Sequence, residues 1–562
     1  MDSQSVASGS LGASIKKVDP STSSFQTDDR SSREDVTEPT IDPSDHGIRL
    51  ANQFSPARKW CIAAVICIIQ VSMNINTSLY SNAMPGVMEE FNISDQAFRA
   101  GAAVFLVMYA IGSLLWAPWS EELGRKNVLQ LSLFLVNIFQ IPCALAPNFA
   151  SIVVGRFFGG LCSAGGSVTL GTIADLWDVD EQQIPVVIVV FFSVTGAGIG
   201  PIPGAFIQEY LNWRWAFWVS LIFGGFTQLL HFLVVPETRS TVLLEQGANK
   251  LRKEGRTREA DAIQFDKPVL DMKHAMTIWI RPFEMFIREP IVLLLSMLSG
   301  FSDALVFTFI EAFGMLFEQW NFSTIEIGLA FIPIILGYVI AAGLYLIFPI
   351  RRDNKLRRQG VTLTPESRLW MLLYLGPLLP IGLFGVAWLS FPSMTYWPTL
   401  FFCLVFGIAN YAIYMSSIDY MVASYGPFSS SASAGNAFAR DGLAGAASLY
   451  ATPMYHKLKL HVGTTVLACI ALFVTIPIYV FYIYGPQIRA RSKFATILAE
   501  EREARETGSE KPRTAVNLAA TAPSYLRVLS GANSRASAVT GPGRSGVPIA
   551  RRPESLAVRL DH

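Results

Sequence analysis

The chain is poor in charge. Only 15% of its 562 residues are Asp, Glu, Lys or Arg, against roughly 25% in a soluble domain. This excludes a chain that is soluble over most of its length, and equally a disordered one. The two signs also cancel, with 44 Lys and Arg against 43 Asp and Glu, so no global positive field attracts nucleic acid. Cysteine is scarce. Cys61, Cys67, Cys143, Cys162, Cys403 and Cys469 all lie in apolar runs without metal-ligand spacing, which favours small apolar fillers over a disulfide framework or a metal site. The 6 His residues are scattered, so a membrane enzyme is not indicated and no cofactor is expected. There is no Gly-x-x-x-x-Gly-Lys-Ser/Thr segment to suggest ATP drive. Residues 1–59 contain no apolar stretch of signal-peptide length.

What is abundant is apolar length. Hydrophobic residues make up 51% and mean hydropathy is +0.38. About 20 residues cross a bilayer core, and twelve runs reach that length: roughly 60–82, 98–118, 128–146, 151–175, 186–208, 215–235, 291–313, 327–349, 369–390, 398–418, 433–453 and 463–485. Such runs are helices, because an open sheet edge cannot be satisfied in lipid. The expected architecture is an all-α membrane protein of 12 transmembrane helices in two six-helix halves, 60–235 and 291–486, joined by a central loop, 236–290. Residues 1–59 read as a disordered acidic tail and 487–562 as a second disordered tail.

Basic residues concentrate in the loops between runs 2 and 3, 6 and 7, and 8 and 9, which together hold 18 Lys and Arg. The opposite side holds Arg99, Arg214, Lys457 and Lys459. By the positive-inside rule both termini and the central loop are cytoplasmic. The central loop's charged segment LRKEGRTREADAIQFDKP has helical character and is expected on the inner membrane surface. Two sequons, at Asn92 and Asn321, then fall outside and are candidate N-glycosylation sites.

Six plus six helices around a basic loop suggest a secondary transporter, and motifs sharpen this. The segment GSLLWAPWSEELGRKNV, residues 112–128, resembles the loop 2–3 signature of the major facilitator superfamily, carried by Glu121, Gly124, Arg125 and Lys126. It departs from the general pattern at Glu122, where a base is common, and at Ala117. The acid at a helix end is expected to pair with the neighbouring bases and latch a gate. GRFFGGLCSAGGSVTLGTIAD, residues 155–175, resembles the fourth-helix motif, with Arg156 at the signature arginine. Gly196, Gly200, Pro201 and Gly204 match an antiporter motif whose last glycine is replaced by Ala205; the glycines permit close helix approach and Pro201 a kink where the halves meet. Ser433-Ala-Gly-Asn436-Ala-Phe-Ala-Arg440 is similar to the eleventh-helix pattern of the same group, with Ser424 where an acid is usual. Over residues 60–486 the chain resembles the fungal twelve-spanner drug:proton antiporters.

The resemblance implies a multi-pass carrier, most naturally in the plasma membrane and monomeric, that exchanges protons for small amphipathic organic molecules such as drugs, toxins or secondary metabolites. The alternative is uptake or facilitated passage of polyamines, vitamins or organic acids on the same fold. A nutrient sensor is a third reading. Intramembrane charge marks function by default. Arg156, Asp303 and Glu311 are therefore the proton-coupling candidates, the two acids standing equal. Asp303 lies about 20 Å of helix rise into its run. Polar residues in otherwise apolar runs, Gln70, Asn74, Asn137, Asn410, Tyr414, Asn436 and Arg440, are the candidate cavity lining. Asp419 and Asp441 are expected near helix ends, in contact with solvent.

Overall fold

The computed structural model describes residues 49–177, 181–257, 260, 272–360, 364–425 and 429–492. Most of both expected tails, and the middle of the central loop with much of its charged segment, lie outside these residues. The described residues are helical with connecting turns and contain no strand.

Eleven helical segments are long and apolar enough to cross a membrane: α1 Pro56–Phe91, α2 Asp95–Leu123, α3 Arg125–Ala144, α4 Phe149–Leu176, α5 Gln183–Tyr210, α6 Arg214–Val234, α7 Pro290–Trp320, α8 Thr324–Leu356, α9 Pro365–Leu389, α10 Trp397–Tyr425 and α12 Leu460–Ala490. The remaining expected span, α11, is the helix Ser429–Leu458. Its composition is Ala, Ser and Gly with Arg440 and Asp441 near the middle. It can be this polar because it packs along α2 and α7 rather than facing lipid, and small residues allow that approach. A Cβ on Gly300 of α7 would stand 2.9 Å from the Ala439 carbonyl oxygen. The helices begin and end beyond several expected limits: Pro56, at a position where its missing N–H is tolerated, starts α1 inside the expected tail, and α12 runs on to Ala490.

Within the first half α1 packs on α5 and α6, and α4 on α2 and α3; within the second, α7 packs on α11 and α10, and α9 on α10 and α12. The halves meet along α2–α11 and α5–α8. The two sequons have a common local geometry. Asn92 and Asn321 each end a short helical segment in the left-handed conformation (φ 48° and 58°), and Ser94 and Ser323 each cap the next helix by accepting a backbone N–H. Asn tolerates that conformation and Ser is a preferred N-cap, so Asn-x-Ser is also what a tight turn between two helices requires.

In the central loop, the helix Ser240–Lys253 follows α6, and the helix Met272–Arg288 precedes α7 and packs against α11.

A cavity between the halves and its two ends

A cavity of about 270 Å³ lies between the halves. Gln70 of α1, Tyr109 of α2, Tyr414 of α10, and Asn436 and Arg440 of α11 line it, and it reaches Glu121, Arg125, Asp175 and Arg239 at the end that bears the basic loops. A second cavity of about 10 Å³, enough for a single water-sized molecule, sits beyond its inner end. It is bordered by Asn74, Thr77, Asp303 and Asp441, with Tyr109, Ser193 and Arg440 lining both spaces.

Arg440 organises this inner end. Its Nε and Nη2 donate to Asp441 Oδ1 at 3.3 Å, its Nε is 3.8 Å from Asp303 Oδ2, and its guanidinium lies 4.7 Å from the Tyr414 ring centre. Two acids thus share one base in a desolvated setting. Such a cluster carries one surplus negative charge, which a single proton cancels, and the high penalty on unpaired buried charge makes that proton hard to leave unplaced. Asp441, expected in solvent, is 5% exposed. Asp419 is half-buried, its side chain 16% exposed, and lies 3.5 Å from Arg368. Both expectations of solvation are corrected, since α10 and α11 carry these acids into helix contacts.

Arg156 is placed differently. It is 2% exposed, donates from Nη1 to the Asn76 carbonyl at 2.8 Å and from Nε to that of Gly101 at 3.5 Å, and lies 4.2 Å and 4.0 Å from the Tyr80 and Phe105 ring centres. No described carboxylate forms an ion pair with it. Its charge rests against carbonyl dipoles and ring faces, with Nη2 left without a hydrogen-bond partner among the described residues, and it ties α1, α2 and α4 together. Asn137 bonds Gln228 between α3 and α6 (2.9 Å), and Asn410 bonds Ser302 between α10 and α7 (2.9 Å). Neither lines the cavity. Gln70 does, bonded to Thr169, and holds the side chain of Asn74 through its carbonyl oxygen at 2.8 Å.

At the basic end the loop 2–3 motif forms a network whose partners differ from expectation. Arg125 pairs with Asp175 at the end of α4 (3.1 Å) and donates to Ser120 Oγ (2.6 Å). The Glu237 carboxylate, after α6, accepts the backbone N–H groups of Arg125 (2.8 Å) and Lys126 (3.2 Å), the free donors at the start of α3. Arg239 donates to the Glu121 carbonyl at 3.1 Å. Gly124 joins α2 to α3 at φ 94°, and a Cβ there would stand 2.5 Å from Glu237 Oε2, so glycine is demanded twice over. The Lys126 ammonium sits over the Phe232 ring.

The antiporter-motif glycines serve packing within one half. A Cβ on Gly196 would meet Asn74 Cβ at 2.9 Å, while Gly200 and Gly204 face Ser78 and Asn82, all on α1. The meeting of halves falls on the motif's other side, where Gly328 at the start of α8 seats against Ala205 and the Pro201 carbonyl.

The opposite end of the bundle is closed. Arg99 of α2 and Glu311 of α7 form an ion pair, with side chains 6% and 8% exposed. Gln96 of α2 donates to the Leu449 carbonyl of α11 at 3.3 Å. Reasoning from sequence missed Tyr109, Asp175, Glu237 and the role of Arg99, and it singled out Asp441 but set it in solvent. The available signals were the acid closing the fourth-helix motif, the acid in Pro236-Glu-Thr, and adjacent opposite charges inside an apolar run.

Twelve spanning helices among the described residues, in two halves that meet around a central cavity, define a membrane carrier. The chain belongs to the Major Facilitator Superfamily, whose model matches residues 66–449. Curated relatives include the MFS-type transporter kojT of Aspergillus flavus, 32% identical over 449 residues (78% of this chain, 79% of that one). The MFS-type transporter acdC of Aspergillus candidus is 33% identical (78% and 87% covered), and the citrinin biosynthesis cluster MFS transporter of Monascus ruber is 30% identical (79% and 90%). Among solved structures, the proton:xylose symporter XylE matches with a TM-score of 0.53 at 17% identity (76% of this chain, 97% of that one), and the human organic anion transporter TETRAN with 0.51 at 15% (76% and 100%). Both show the same fold.

Proposed function

We propose that this protein exports small amphipathic organic molecules in exchange for protons, by alternating access, across the plasma membrane. Both termini and the basic-loop end face the cytoplasm. The observation that carries the reading is the Asp303–Arg440–Asp441 cluster at the inner end of a cavity that reaches the basic end of the bundle. A substrate enters from the cytoplasm and rests between Gln70 and Tyr109 of the first half and Tyr414 and Asn436 of the second. Aromatic faces and amide groups suit molecules that are part apolar and part polar. Arg440 links that space to the two carboxylates, so filling the cavity and moving a proton bear on the same guanidinium. The fungal relatives, one of them named for a biosynthesis cluster, point to a secondary metabolite as the cargo. The test is flux in proteoliposomes holding a candidate metabolite, with and without an imposed pH gradient. Export that accelerates when the receiving side is acidic supports the reading. Accumulation in the reverse direction would favour the uptake carrier, and flux indifferent to the gradient would favour a facilitator.

A further inference from the structure

The end of the bundle opposite the basic loops contains charge that the cavity does not use. Arg99 and Glu311 pair across the two halves, α2 to α7. Arg99 has a second partner on its own helix, since its Nε donates to Asp95 Oδ1 at 2.8 Å. Among the described residues, the one further partner of Glu311 is a weak one, the Ser81 hydroxyl of α1, which donates to Oε1 at 3.3 Å. Asp95 is 38% exposed at its side chain, whereas Glu311 is 8% exposed. From α11, Tyr450 approaches α7 one turn below, its hydroxyl 3.4 Å from Thr308 Oγ1.

This asymmetry matters when the halves part. Arg99 leaves with Asp95 and remains compensated. Glu311 leaves with a hydroxyl alone, and an uncompensated buried carboxylate is strongly unfavourable. One proton added to Glu311 removes the difficulty, because the neutral acid no longer needs Arg99. The three charges Asp95, Arg99 and Glu311 sum to −1, and that proton brings the group to zero. Two turns deeper on the same helix stands Asp303, eight residues away or about 12 Å of rise. Thr77 and Asn74, below Ser81 on α1, border the small chamber that holds Asp303 and Asp441.

We infer that the Arg99–Glu311 pair is the outer gate of the carrier and that Glu311 is the first acceptor of an external proton. Arg99 is a positioning residue held ready by Asp95. An incoming hydronium protonates a Glu311 oxygen and leaves water; the ion pair breaks, the mouth opens, and Asp303 with Asp441 becomes reachable. This separates the two acids by role: Glu311 gates and Asp303 couples. The inference rests on the proposed orientation, with the closed end outward, and adds to it a pH-dependent gate.

The test uses the full chain in intact cells, with Cys61 and Cys469 replaced by Ser and a reporter cysteine at Thr77→Cys below the gate. Labelling by a membrane-impermeant maleimide is measured at neutral and at mildly acidic external pH. The expected result is little labelling at neutral pH and a several-fold rise in acid. Glu311→Gln and Arg99→Ala should label strongly at both values, and Glu311→Asp, which keeps a titratable acid, should retain the rise. Asp303→Asn should keep the acid response of the gate while losing gradient-driven transport. Detergent gel filtration confirms that each variant is folded. Labelling of Glu311→Gln and Arg99→Ala as low as the parent, or an unchanged acid response in Glu311→Gln, overturns the inference. Labelling of the parent from the cytoplasmic side alone at both pH values overturns the inference, and surface labelling of either terminus in intact cells overturns the orientation and this inference with it.

Discussion

Arg440 Nε lies 3.8 Å from Asp303 Oδ2, a contact that joins the middle of α11 to the middle of α7 beside the cavity. Asp303→Asn should abolish acceleration of export by a pH gradient, because an amide neither takes up nor releases a proton. Exchange of substrate at equal pH on both sides should survive. Counterflow and gradient-driven flux from the same proteoliposomes separate the two, and full gradient response in this variant would move the proton site elsewhere.

Asp441 shares Arg440, so its replacement should not copy that of Asp303. Asp441→Asn removes the 3.3 Å partner and leaves Arg440 with the more distant acid alone. Truncating one member of a buried ion pair destabilises by about 3–5 kcal/mol, so thermal stability in detergent should fall. Arg440→Lys should be poor at rescuing either defect, since an ammonium lacks the planar fork that reaches two acids. Equal stability of Asp441→Asn and the parent would show that the cluster is not coupled as drawn.

Glu237→Gln tests the basic end. The carboxylate accepts the first N–H groups of α3 and lies against Gly124. The amide keeps the shape and loses the charge, so a loss of roughly 0.5–2 kcal/mol is expected, in the range of helix-cap effects. Gly124→Ala should be harsher, because it adds both a positive-φ penalty and a collision. Transport of every substrate should slow together; a change confined to the affinity for one substrate would place these residues in the binding site instead.

Gly328 tests the crossing of α5 and α8. A Cβ there would collide with Ala205 Cβ at 2.5 Å, so Gly328→Val should hold that end of the bundle apart and impair the cycle with normal membrane insertion. Ala205→Gly should partly relieve Gly328→Ala. Additive effects in that double variant, measured as flux, would mean that the two positions do not meet during transport.

Arg156→Ala should act through folding. The guanidinium joins three helices and is sandwiched by two rings, and removal empties a buried space and takes a charged donor from two helix carbonyl oxygens. A lower melting temperature with unchanged gradient dependence in the surviving protein is expected. Intact stability with lost coupling would restore the proton role its motif suggested.

The sequence by itself determined the number of spans, their grouping and the sidedness of charge. Those follow from local quantities: the length of apolar runs, and which loops hold Arg and Lys. It also marked Arg440, Asp303 and Glu311, because a charge inside an apolar run is conspicuous whatever surrounds it. Tertiary structure decided which of these charges meet. Arg156 and Arg440 look alike as lone bases in helices, but α4 turns one toward rings and carbonyls while α11 turns the other between two acids. Asp303 and Glu311 sit eight residues apart on one helix, yet α11 faces the first and α2 the second. The antiporter glycines read as sites of close helix approach, and packing decides with which helix: they seat α5 on α1, while Gly328, 123 positions from Ala205, meets the motif from the other half. Charges in a low-dielectric interior act over a few ångströms between helices distant in sequence, so their partners are fixed by packing rather than by spacing along the chain.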